Sequence, residues 1–255
     1  MPIRRILHGL IVVAAACAGA DAAGAAELKV LTAGAFKPVV AALAPVFEGQ
    51  TGHTVRIEND TAGALARRIG NGEAFDVVVL TPAAMEPLEQ AGRVARGSSV
   101  RLARVAIGVA VKQGAPLPAI GSESALRQAL LAARAVAYID PAAGGSSGIY
   151  LAQLFQRMGI VAQIAPKAVL VPGGLVAQRL VSGEADLALH QISEILAVPG
   201  VTLVGPIPAE VQNYTVYAGG LAATSADLPP ARAVLKLLAG ERAKKKMKDK
   251  GMEAP

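Results

Sequence analysis

Tryptophan is absent from this sequence, and aromatic residues of all kinds make up only 3% of its 255 positions. That leaves little surface on which single-stranded nucleic acid could stack. One cysteine, Cys17, cannot build an intramolecular disulfide framework or a two-cysteine metal site, so zinc-finger and thioredoxin-like readings are excluded. Charge is also sparse: 17% charged against 53% hydrophobic residues is the composition of a chain that buries a core, not of a disordered one. There is no GxGxxG and no P-loop. After the N-terminal segment no apolar run reaches the roughly 18 residues that a membrane span requires.

A formal charge of +6 invites a nucleic-acid reading until the charges are located. Six basic residues from Arg242 to Lys250 stand against Glu241, Asp249 and Glu253, a net +3 in the tail alone. This pattern reads as the solvated face of a last helix. Arg4 and Arg5 supply a further +2 at the other end, and the body between is almost neutral. No nucleic-acid partner is expected.

The first residues read as an address. Met1 to Arg5 is basic, Ile6 to Ala18 is apolar but too short to cross a bilayer, and Ala18-Gly19-Ala20 and Ala23-Gly24-Ala25 both fit a small-x-small cleavage site. Residues 1–26 are therefore expected to be a secretory signal peptide, and the mature chain to be soluble outside the cytoplasm. In the alternative, Cys17 becomes a lipidated first residue that anchors the protein.

The mature chain alternates strand and helix signals. Glu27 to Thr32, Val55 to Glu58 and the β-branched Asp76 to Leu80 read as strands, with helices over Val39 to Glu48 and Gly63 to Ile69 between them. Val105 to Val111, Ala135 to Ile139, Ala168 to Leu170 and Leu187 to Leu189 continue the strands. Gly148 to Met158, Gly174 to Leu180 and Pro229 to Lys250 continue the helices. The alternation predicts an α/β fold. One pattern occurs twice: Gly63-Ala64-Leu65-Ala66-Arg67-Arg68-Ile69 leads to Gly72-Glu73-Ala74 and on through Asp76 into a strand. Gly174-Leu175-Val176-Ala177-Gln178-Arg179-Leu180 leads to Gly183-Glu184-Ala185 and on through Asp186 into another. The spacing is too long for a solenoid, and two related lobes are the simplest account.

Three segments share a strand end, small residues and a helix start: Thr32-Ala33-Gly34-Ala35, Asn59-Asp60-Thr61-Ala62-Gly63 and Gly144-Gly145-Ser146-Ser147-Gly148. A helix N-terminus presents unpaired N–H groups at the positive end of the macrodipole and so binds anions without Arg or Lys. The hydroxyls and amides of Thr32, Asn59, Thr61, Ser146 and Ser147 would add donors. Ordinary N-capping uses the same residue types. His190-Gln191-Ile192-Ser193-Glu194 follows a predicted strand, where open sheets place ligand contacts. His190 suits an anion partner or a base, or a simple loop bond; Glu194 also suits the dipole of a helix start. In Gln212 to Tyr217 a tyrosine hydroxyl, that of Tyr214, is a candidate for the cleft, and Tyr217 suits packing. His53 reads as a turn residue facing solvent. Gly144 to Gly148 matches the letters of a nucleophile elbow around Ser146, but no histidine follows His190, so the order of an α/β-hydrolase triad is missing.

Together, the signal segment, Leu31 to Ala35, Thr61 to Ile69, Gly72 to Val79, Asp140-Pro141, Ser147-Gly148-Ile149-Tyr150 and Gly183 to Asp186 resemble the molybdate-binding-protein family of periplasmic solute-binding proteins. The resemblance covers nearly all of the mature chain. It implies a two-lobed type II binding-protein fold, each lobe a mainly parallel sheet flanked by helices, with the ligand in the cleft and two crossings of the chain between lobes. The lobes implied are 27–107 with 214–255, and 108–213. Partners implied are a small anion and an inner-membrane ABC permease. The serine hydroxyls that the family places on the oxyanion correspond here to Ala35 and Ala62, the family's tyrosine falls near Gln191, and Ser147 matches a backbone N–H donor. Loss of each hydroxyl weakens a desolvated dianion by roughly 1.5–3 kcal/mol, so an organic di- or tricarboxylate is expected instead of molybdate. The Asn-Asp-Thr-Ala-Gly, His-Gln-Ile-Ser-Glu and Gln-Asn-Tyr-Thr-Val-Tyr strings are also similar to the secreted aconitate isomerase branch, in which the same fold would shift an allylic proton.

The candidate ligand residues are thus Thr32, Ala33, Gly34, Ala35, Asn59, Thr61, Ala62, Gly63, Gly145, Ser146, Ser147, Gly174, Gln191 and Tyr214. If the site does chemistry, His190, Glu194 and Tyr214 are its candidate catalytic groups. No metal or cofactor is expected.

Overall fold

Pro38 opens the first helix and Gly52, at a positive φ of 73°, ends it. The computed structural model describes residues 25–255, so Cys17 and nearly all of the expected signal segment lie outside the described residues. The chain runs β1 (Glu27–Ala33), α1 (Lys37–Thr51), β2 (Thr54–Asp60), α2 (Ala62–Gly70), β3 (Val77–Leu80), α3 (Pro82–Gln90) and a long β4 (Val100–Lys112). It continues through α4 (Glu123–Ala132), β5 (Val136–Ile139), α5 (Ser146–Arg157), α6 (Val161–Ile164), β6 (Ala168–Val171), α7 (Gln178–Val181) and β7 (Leu187–Gln191). The last elements are α8 (Ile192–Ile195), β8 (Val201–Pro206), β9 (Tyr214–Leu221), α9 (Pro229–Ala239), α10 (Glu241–Asp249) and β10 (Met252–Glu253).

Several elements differ from the sequence expectation for local reasons. The helix expected over Gly174 to Leu180 is cut to the four residues of α7, because Gly174 takes a positive φ of 83° and cannot open it. The C-terminal helix is two helices, broken at the extended Gly240. Its lysines face solvent, while Ala243 and Met247 pack inward. Asn59 with Asp60, and His190 with Gln191, are the last residues of β2 and β7 and not of the loops beyond. His53 is half-buried, and its Nδ1 accepts the Ala26 N–H at 3.0 Å.

The strands follow the order β2-β1-β3-β9-β4-β7-β5-β6. They are parallel where β1 meets β2 and β3 and where β5 meets β6 and β7, and antiparallel where β9 and β4 enter. The sheet is therefore mixed, not mainly parallel. β4 changes partner midway: Ala106 pairs with Tyr214 of β9, and the next residue, Ile107, pairs with Gln191 of β7. Gln212 ties this point down, accepting from Ile107 N and donating to the carbonyls of Ile107 and Ile207.

The cores follow the same division. One apolar cluster joins Leu31, Leu43, Val78 and Val105 to Leu235 and Met252, from both ends of the chain. The others gather Leu126, Leu151, Leu189, Val176 and Ile195 from its middle. The repeated Asp has the same job in each lobe. Asp76 accepts the backbone N–H of Lys29 in β1, and Asp186 accepts those of Arg134 and Ala135 at the start of β5. The Arg and Glu of the two motifs pair as well, Arg68 with Glu73 and Arg179 with Glu184.

Candidate functional site

The carboxyl ends of β1, β2, β5 and β7 converge on one narrow cavity between the lobes, of about 30 Å³. That is the region where open parallel sheets place ligands. From the first lobe come Ala33, Gly34 and Ala35 after β1, Asn59 and Asp60 at the end of β2, and Thr61 and Ala62 at the start of α2. Facing them are Ile139, Gly145, Ser146 and Ser147 at the start of α5, Gly174, and His190, Gln191 and Glu194 around the end of β7. Tyr217 of β9 closes the wall.

Three candidates are not brought to this cavity. Thr32 is fully buried within β1, and its hydroxyl donates to the Ala33 carbonyl at 3.1 Å. Gly63 lies beyond the rim, its N–H donating to the Gly144 carbonyl across the cleft at 3.1 Å. Tyr214 is 42% exposed and lies under the Arg104 guanidinium, 4.5 Å from its ring centre, facing an outer groove. The reason is strand alternation. Thr215 and Tyr217 point to the inner face of β9, and Tyr214 points to the other. Tyr217, Asp60 and Ile139 are the wall residues that sequence reasoning missed. Odd and even positions of the Gln212 to Tyr217 string carry the signal for Tyr217.

The three small-residue turns also differ in what their amides do. At α2 the Thr61 hydroxyl accepts from Ala64 N at 3.1 Å and gives its own proton to the Ala143 carbonyl at 2.6 Å. That turn is capped and engaged across the cleft, so Thr61 has no hydroxyl proton left for a ligand. At α5 the N-cap is Gly145, which has no side chain to cap with, and at the turn after β1 the N-cap is Ala33. Those two helix starts keep the unpaired N–H groups that favour an anion.

The polar side chains between them are ordered by one another. Gln191, almost wholly buried, donates from Nε2 to Thr215 Oγ1 at 2.8 Å and to Ser146 Oγ at 3.3 Å, while its Oε1 has no partner. His190 Nε2 lies 3.2 Å from Glu194 Oε2, with the two side chains 2% and 8% exposed. Burial pushes Glu194 up to about 8 and His190 down to about 3, so at neutral pH the carboxyl holds the proton and the imidazole is neutral. Burial, with Glu194 nearby, also raises the Tyr217 phenol. Among the described residues lining the cavity none is Lys or Arg. No group of His, Cys, Asp and Glu fit to hold a metal occurs among the described residues. None of their helices is long and apolar enough to cross a membrane.

Comparison with known proteins agrees with this architecture. A model of the bacterial extracellular solute-binding protein family matches residues 28–253. An aconitate isomerase from Pseudomonas sp is 37% identical over 232 residues, 89% of this chain and 87% of that protein. Among solved structures, the periplasmic molybdate-binding protein of Azotobacter vinelandii aligns over 90% of this chain and all of its own, with a TM-score of 0.76 and 23% identity. The sulfate-binding protein of Mycobacterium tuberculosis aligns over 90% of this chain and 87% of its own, with a TM-score of 0.73 and 18% identity. At such identities the two structures show the shared fold alone.

Proposed function

Because the chain belongs to the bacterial extracellular solute-binding protein family, we propose that it is exported to the periplasm, captures a small organic di- or tricarboxylate there and delivers it to an inner-membrane ABC permease. In this reading residues 27–107 with 214–255 form one lobe and residues 108–213 the other, and they close on the ligand about the crossings at β4 and β9. The carrying observation is the uncapped start of α5 facing Gln191 in a cavity whose lining has no Lys or Arg. Ala35 and Ala62 line the cavity without hydroxyls, and by the family resemblance they take the place of two serine donors, which favours a ligand with its own spread of acceptors over a compact dianion.

A thermal-shift screen tests the reading. A ligand at 100 times its Kd adds about 2.7 kcal/mol of stability, and citrate, cis-aconitate or a related acid should raise the melting temperature. Stabilisation by molybdate or tungstate alone would reject the carboxylate assignment.

A second reading, catalysis of aconitate isomerisation, is favoured by the buried His190–Glu194 pair and by the aconitate isomerase relative. The neutral His190 would take a methylene proton from the substrate. The freed C–H electron pair would form the new double bond, and the old π pair would collect the returned proton at the far carbon. The amides of the helix starts would offset the dienolate charge meanwhile. Incubation of cis-aconitate with the protein in D₂O, followed by NMR, separates the readings. Formation of the trans isomer, lost in His190→Ala, supports catalysis; tight binding without conversion leaves capture alone.

A further inference from the structure

The side chains that line the cavity include two acids, Asp60 and Glu194, and no Lys or Arg. Asp60 is compensated outside the cavity. Its Oδ1 accepts the Thr61 N–H at 2.8 Å, and its Oδ2 lies 3.8 Å from Arg68. Among the described residues Glu194 has no such compensation, and the one basic group within salt-bridge range of it is His190.

The packing explains where its proton sits. Glu194 lies on α8, which rests on β4, β7, β8 and the turn at Gly34–Phe36. Within these elements β8 and the turn contain no titratable residue. Arg104 and Lys112 of β4 are engaged elsewhere, with Glu253 and with the Val181 carbonyl, and Arg101 lines a separate surface groove. β7 contributes His190, and β9 contributes Tyr217 from across the cavity. His190 Nε2 lies 3.2 Å from Oε2 of Glu194, and Oε1 is the oxygen turned toward the Gly34–Phe36 turn. Oε1 presses on the first turn: a Cβ on Gly34 would come within 2.5 Å of it. The His190 Nδ1 and the Gln191 Oε1 have no partner among the described residues.

We propose that Glu194 recognises the ligand as a carboxylic acid: held by His190, it donates its proton in a hydrogen bond to a ligand carboxylate and does the work that a cation does in other anion sites. This rests on the reading of the cleft as a carboxylate site. Once Glu194 is ionised, a carboxylate faces a carboxylate in a desolvated space, so binding then requires a proton to enter with the ligand.

Calorimetric titration of the full mature chain with cis-aconitate and with citrate tests this at several pH values. In wild type the Kd should rise about tenfold per pH unit above pH 8. Titration in two buffers of different ionisation enthalpy should give about one proton taken up per ligand at pH 9 and almost none at pH 6.5. Glu194→Gln keeps a donor of the same shape, so its Kd should change little over the same range. Without any ligand, the infrared difference between wild type and Glu194→Gln at pH 7 should contain the C=O stretch of a protonated carboxylic acid. The wild-type proton count carries the test should the variant fail to fold. Equal pH dependence in the two proteins, no proton uptake at pH 9, or no acid C=O band at pH 7 overturns the proposal alone. If neither probe binds at any pH, the carboxylate reading fails and the proposal falls with it.

Discussion

At Gly148 a methyl group has nowhere to go, since a Cβ there would run into the Ile139 carbonyl on which α5 packs. Overpacking against backbone costs about 1–3 kcal/mol, and Gly148→Ala should lose that much in urea unfolding. The His190–Glu194 pair has a different signature. Glu194 has a raised pKa in the folded state, so its contribution is fully present below about 4.5 and is lost as pH rises to about 8. His190 has a lowered one, so its contribution is present above about 6.5 and is lost as pH falls toward about 3. The pair therefore favours folding most between pH 4.5 and 6.5. Melting temperature measured against pH should decline on both sides of that window, and Glu194→Gln should flatten the alkaline side only. The residue types at this site were legible in the sequence. Their ionisation was not, because it comes from desolvation by segments far apart in the chain.

Among elements, the twice-used Gly-Glu-Ala motif was the most informative pattern in the sequence, and its final Asp now has a reason. It ends a helix return by holding backbone amides of the neighbouring parallel strand, Lys29 within β1 for Asp76 and Ala135 just ahead of β5 for Asp186. Asp76→Ala removes an acceptor from Lys29 N and from the Ser225 hydroxyl, and a loss of about 1–3 kcal/mol is the expected result of denaturant titration. Where local signals conflicted, the elements moved. Glycine at a positive φ shortened α7, and pairing with Ile107 and Gly108 extended β7 through His190 and Gln191. The starts of α2 and of α5 meet across the cleft at Gly63 and Gly144, where a Cβ on Gly63 would lie 2.9 Å from Gly144 backbone. Gly63→Val should keep the lobes apart. Small-angle scattering would then report a larger radius of gyration than wild type at saturating ligand, with at least tenfold weaker binding and a nearly unchanged fold by circular dichroism.

For the whole molecule, the narrowness of the cleft matters most. A space of about 30 Å³ is too narrow for a tricarboxylate, so on the proposed reading entry requires the lobes to part. Among the described residues, hydrogen bonds across the cleft run from Thr61 to Ala143, from Gly63 to Gly144, from Arg67 at long range to Ala143, and between Thr215 and both Gln191 and Ser146. The sequence by itself determined the α/β alternation, the three small-residue turns, the pinning Asp residues and the familial architecture, because periodicity, helix punctuation and short motifs are local. It placed most of the cavity wall for the same reason, since strand ends in such a fold converge. Tertiary structure alone decided that Thr61 spends its hydroxyl on Ala143 while Gly145 leaves its helix uncapped, that Tyr217 and not Tyr214 reaches the cavity, and that Glu194 keeps its proton. Each of those depends on what the opposite lobe presents, and burial in a shared interior is a property of neighbours, not of residue type.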